Sequence, residues 1–77
     1  MPRKLRQLRA DLRKAGYRHD HSTGDHEIWK HPLVPGHVNV AGADGKDAQP
    51  YQEKAVREAV QTAREAERRR KQQGGQP

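Results

Sequence analysis

A chain of 77 residues has room for one domain, and with 30% hydrophobic residues and no phenylalanine its core must be thin; a domain near this size buries only about 60% of the surface its unfolded chain exposes. The absence of cysteine excludes disulfides and thiolate zinc sites, and there is no apolar run of about 18 residues to span a membrane. Sixteen Lys and Arg against ten Asp and Glu leave a net charge of +6, a surplus that favours polyanions, nucleic acid before acidic protein surfaces.

Leu5, Leu8, Leu12 and Ala15 recur at the spacing of an amphipathic helix, with Arg6, Arg9, Arg13 and Lys14 off the stripe. Gly16 follows where a glycine in the left-handed conformation ends a helix. Tyr17–Ser22 and His26–His31 read as an antiparallel hairpin turning at Thr23-Gly24. Pro32-Leu33-Val34-Pro35-Gly36 reads as a loop, and His37–Ala41 alternates as a third strand with Val38 and Val40 buried. After the turn-rich stretch Gly42–Asp47, Pro50 suits the first turn of a second helix, with Tyr51, Ala55, Val56, Ala59, Val60 and Ala63 as its buried stripe. The expected fold class is α+β, in the order α-β-β-β-α, with both helices on one face of a three-stranded antiparallel sheet. One domain is expected over residues 1–66, and a basic, frayed or disordered tail over 67–77. The core is expected among Leu5, Leu8, Leu12, Tyr17, Ile28, Trp29, Val38, Val40, Val56 and Val60.

All five histidines, His19, His21, His26, His31 and His37, fall in the β region. Imidazole, with an unperturbed pKa of about 6.5, is the side chain best matched to proton transfer near neutral pH. On a basic, RNA-sized surface the cluster points to metal-free cleavage, one imidazole exchanging a proton with a ribose 2′-OH or a leaving 5′-oxygen while Lys or Arg steadies the phosphorane charge. A rival reading is metal binding by His19 and His21, which two-residue strand periodicity places on one face about 7 Å apart; no zinc spacing accompanies them. The bland reading leaves them as half-exposed strand residues. His26 follows the turn glycine, and parity groups it with Ile28 and Lys30 and puts Glu27, Trp29 and His31 on the opposite face. Parity leaves open which face is buried, although Trp29 reads better as core than as a base-stacking platform.

Four segments in order carry a resemblance to a family: Lys14-Ala15-Gly16-Tyr17, then Gly24-Asp25-His26-Glu27-Ile28-Trp29-Lys30-His31-Pro32, then Val38-Asn39-Val40, then Gly45-Lys46-Asp47. Over roughly residues 4–63 the chain resembles the HicA-type toxins, the small RNA-cleaving partners of bacterial HicA–HicB toxin–antitoxin pairs. The resemblance implies a fold similar to double-stranded-RNA-binding domains and an endoribonuclease that cleaves mRNA with no metal or other cofactor. It carries the single essential histidine onto His26 and implies a HicB-like antitoxin that covers that surface. Lys4, Arg6, Arg9, Arg13, Lys30 and Lys46 are the expected RNA-binding cations. The expected setting is cytoplasmic, with no membrane association, as a small homo-oligomer or a toxin–antitoxin hetero-oligomer.

The chain departs from the family pattern at three places. Asp25 replaces the usual small residue before the histidine, His21 stands where arginine is frequent, and Ala41 and Ala43 replace a proline and a histidine. Lost positive charge here implies weakened or altered activity, and Asp25 could instead stabilise the protonated form of His26 and favour an acid role. A non-catalytic RNA-binding module on the same scaffold is the alternative function, and a protein-interaction partner that docks an acidic protein is the third.

Overall fold

Leu5, Leu8 and Leu12 lie within one helical stripe, and burying each stabilises the fold by about 1.5–3 kcal/mol. In the computed structural model, which describes residues 2–74, they anchor α1 (Leu5–Lys14) and are at most 2% exposed. The first backbone donors of α1 are met from far along the chain: Leu5 N–H donates to Lys46 O at 2.9 Å and Arg6 N–H to Asp44 O at 3.1 Å. The Gly-Lys-acidic turn is thus the cap that a helix N-terminus requires, and Lys4 Nζ adds an ion pair to Asp47 at 2.6 Å. At the other end Tyr17 N–H donates to Leu12 O and Gly16 N–H to Arg13 O, a Schellman closure with Gly16 at φ +98°.

The sheet is β1 (Arg18–Thr23), β2 (His26–His31) and β3 (Val34–Ala41), antiparallel throughout, in the order β1-β2-β3. The order α-β-β-β-α is that expected, an α+β fold with a three-stranded sheet. Both turns of the sheet differ from expectation. Thr23 pairs with His26, so the hairpin turn is Gly24-Asp25. The segment Val34-Pro35-Gly36 is strand and the β2–β3 turn shrinks to Pro32-Leu33. Proline is tolerated there because β3 is an edge strand, and the register shift opposite Trp29–His31 absorbs the extra residues.

The buried face is that of Trp29. Leu5, Leu8, Leu12, Tyr17, Trp29, Val40, Ala48, Val56 and Ala63 form the core, with Val38 and Val60 packed against it. Ile28, expected in the core, lies half-buried on the opposite face, since strand alternation cannot bury both neighbours. The α2 helix (Pro50–Gly74) buries Gln52, Val56, Ala63 and Ala66, so its stripe is rotated from the expected one and leaves Tyr51 and Ala55 exposed. Gln52 turns inward because its amide Nε2 donates to Ala41 O at 3.0 Å, fastening the start of α2 to the end of β3. The basic run Arg68-Arg69-Arg70-Lys71, expected in a tail, is helical; of that tail, residues 75–77 lie outside the described residues.

Candidate active site

His26 opens β2 and is exposed on the face of the sheet that the helices leave open. Its backbone is paired on both sides, with Thr23 in β1 and Ala41 in β3, so the side chain projects from rigid structure. Nδ1 lies 3.1 Å from Asn39 Oδ1. A carbonyl oxygen only accepts, so Nδ1 carries the proton and Nε2 keeps the lone pair of the neutral ring. Asn39 is diagonal to His26 across β2 and β3, its Cα partner being Ile28. In this tautomer the neutral ring offers Nε2 as a proton acceptor. A cavity of about 210 Å³ lies against it, lined by His26, Asn39, Ala41, Tyr51 and Gln52.

The six cations expected to hold RNA are not gathered at that cavity. Lys30 shares the open face with His26 but is four residues along the strand, about 13 Å away, and sits 3.6 Å from Asp20. Lys46 lines a separate cleft beside the hairpin turn, with Asp25 and Glu27. Lys4 is paired with Asp47, Arg6 is exposed on α1, and the Arg13 guanidinium lies 5.2 Å from the Trp29 ring centroid. Arg9 is 6% exposed, and its donors are taken by Glu27 Oε1, Asp44 Oδ1 and Gly42 O at 2.6–2.7 Å. Its role is structural: it ties α1 to the residue after His26 and to the end of β3. Burial raises the Glu27 carboxyl, but the hydrogen bonds from Arg9 and from Trp29 Nε1–H outweigh it and hold Glu27 below the usual carboxylate range.

The remaining histidines are scattered by the geometry. An extra residue in β1, Asp20, shifts the register, so His19 pairs with Trp29 on the helix side and His21 with Ile28 on the open side. The two do not share a face, contrary to what simple alternation gives, and the proposed ion between them has no geometry to support it. The hydrogen bond from His21, aided by Lys30, holds the Asp20 carboxyl below its ordinary range. His31 is buried: Leu33 N–H donates to its Nδ1 at 3.0 Å, so its Nε2–H donates to Ala15 O, also at 3.0 Å. It therefore joins the C-terminus of α1 to the β2–β3 turn. Tyr17 packs edge-on to it at 5.0 Å and donates its hydroxyl to Ala59 O; burial raises that hydroxyl's pKa.

Compared with known protein families, the chain matches the one described as "HicA toxin of bacterial toxin-antitoxin" over residues 5–67. The chain belongs to the HicA toxin family. It is thereby a toxin of a toxin–antitoxin system, with an antitoxin as partner. No curated protein and no solved structure matched in the other two comparisons. No helix among the described residues is long and apolar enough to cross a membrane.

Of the departures in this toxin, Asp25 is exposed at the hairpin turn and makes no salt bridge with His26 among the described residues. Ala41 is the residue paired with His26, and Ala43 lines the Lys46 cleft. Sequence reasoning missed Asn39 and Tyr51 as neighbours of His26. Asn39 had a readable signal, a polar residue between two buried valines and so on the open face. Tyr51 had none, because its phase on α2 depends on the inward turn of Gln52.

Proposed function

We propose that this toxin is a metal-independent endoribonuclease acting on mRNA, with His26 as its single catalytic histidine. The observation that carries the reading is the hydrogen bond between His26 Nδ1 and Asn39 Oδ1 on a strand paired on both sides, with the histidine exposed; in the neutral ring this leaves the lone pair on Nε2. In the reaction, Nε2 takes the proton of a ribose 2′-OH, and the 2′-oxygen attacks the adjacent phosphorus. The bond from phosphorus to the 5′-oxygen breaks, the leaving oxygen takes a proton from water, the hydroxide so formed takes back the proton held on Nε2, and the product ends are a 2′,3′-cyclic phosphate and a 5′-hydroxyl. A HicB-like antitoxin would silence the enzyme by covering the open sheet face around His26. The toxin by itself, or held silent by that antitoxin, would form a small oligomer in the cytoplasm.

The test is incubation of purified toxin with single-stranded RNA in EDTA. Cleavage with cyclic phosphate ends, lost in His26→Ala at equal folding, is the expected result; cleavage that survives His26→Ala removes the assignment. A non-catalytic RNA-binding module is the second reading, and it draws on the absence of any Lys or Arg from the cavity at His26. It predicts salt-sensitive RNA binding through released counterions with no cleavage at any enzyme concentration.

A further inference from the structure

At 70% exposure Tyr51 stands out, since the next exposed large apolar side chain among the described residues, Leu33, is at 36%. Its position is fixed by its neighbour. Gln52 is 8% exposed, accepts from Gln49 N–H at Oε1 and donates from Nε2 to the carbonyl of Ala41, the cross-strand partner of His26. One hydrogen bond and one strand pair therefore connect the first turn of α2 to His26. Tyr51, Asn39 and Gln52 line the cavity at His26 and also an adjoining groove of about 570 Å³ along the outer edge of β3. That volume lies within the range of small-ligand clefts, about 300–1,000 Å³. Its walls include Val38, Pro35 and Ala55, and neither it nor the cavity is lined by any Lys or Arg.

Its lining holds one carboxylate, Glu58, and one imidazole, His37, but no Lys or Arg, so it suits a flat, uncharged group better than a phosphate or an acidic peptide. An exposed aromatic ring on a helix turn fastened beside His26 suits a nucleobase, whose stacking on a ring is tolerant of base identity. We infer that Tyr51 and the β3-edge groove form a base-stacking subsite, which receives the unpaired base next to the phosphodiester presented to His26. This rests on the reading of the toxin as an RNA-cleaving enzyme and adds to it that the substrate is single-stranded at the cut. Tyr51 contacts the base and takes no part in proton transfer.

The experiment measures binding of a labelled single-stranded RNA oligonucleotide by anisotropy, in the His26→Ala background so that the RNA stays whole. Tyr51→Ala weakens binding roughly 5- to 150-fold, the effect expected of one lost stack. Tyr51→Phe and Tyr51→Trp keep it, and the slope of log Kd against log salt stays unchanged because no charge is lost. Thermal unfolding of Tyr51→Ala should match the parent, as the side chain is exposed. Tyr51→Ala binding within twofold of the parent overturns the subsite, and if the wild-type toxin still cleaves RNA the catalytic reading survives alone. A change in sedimentation of Tyr51→Ala with RNA affinity intact also overturns it, by showing that a second copy covers the ring. Absence of RNA binding in every protein overturns both readings.

Discussion

A methyl group placed on Gly16 would sit 2.9 Å from His31 Nε2. The glycine that ends α1 and the buried histidine that ends β2 thus occupy adjoining space. Gly16 is required twice, once for φ +98° and once for this close approach. Because His31 Nε2–H already donates to Ala15 O, the ring has little freedom to retreat. The second histidine of the strand is a structural joint, and this separates it from His26.

Gly16→Ala is expected to cost about 2–4 kcal/mol, from left-handed strain and overpacking together. The same change in a His31→Ala background should cost only about 1 kcal/mol, because the ring that obstructs the methyl is gone and the backbone strain remains. A double-mutant cycle by urea unfolding reads the difference; equal costs in both backgrounds would show that the contact is without consequence.

His26→Ala should leave unfolding stability within about 0.5 kcal/mol of wild type, as befits an exposed strand residue, while RNA cleavage is lost. Asn39→Ala should lower kcat about tenfold or more with little change in KM, since ring orientation fails and substrate contacts remain. Asn39→Asp should retain more activity than Asn39→Ala, because a carboxylate also accepts from Nδ1–H. Identical kcat in Asn39→Ala and wild type would mean that the hydrogen bond plays no part in turnover.

Arg9→Ala should destabilise the fold by about 2–4 kcal/mol, since it removes a buried side chain and strips partners from part-buried Glu27 and from Gly42 O, while exposed Asp44 regains water. Arg6→Ala, one helical turn away on the exposed side, should fall within about 0.5 kcal/mol of wild type. Chemical denaturation of the two variants side by side distinguishes the structural arginine from a surface one.

Glu27 supplies an acid-sensitive share of stability. Its carboxyl is depressed in the folded toxin, so its stabilisation is complete above the ordinary carboxylate range of about 4.3 and is lost as pH falls through the folded value. Melting temperature should therefore drop on acidification below about pH 4.5. Glu27→Gln should begin lower at neutral pH and show a shallower acid limb; parallel profiles for the two proteins would place the acid-sensitive group elsewhere.

Periodicity and turn chemistry carried much of the architecture. The leucine stripe, Gly16 as a helix stop and the alternation through Val38 and Val40 are local patterns, so the element order could be read before any packing was known. Boundaries failed where a local rule was overridden by pairing: Pro35 and Gly36 look like loop, yet an edge strand with a register shift holds them. Asp20 is the same case in β1, where one extra residue sends His19 and His21 to opposite faces.

The candidate site divides along the same line. Linear spacing picked out Gly24–Pro32 and separated His26 from Trp29 and His31 by parity, because side-chain alternation in a strand is a local property. Which face the helices would cover, which nitrogen of His26 would carry its proton, and that Arg9 would be turned inward depend on contacts between residues 13 to 35 positions apart. Only the tertiary structure decided these. It alone brought Tyr51 beside His26, since the phase of α2 follows from Gln52 reaching across to the carbonyl of Ala41.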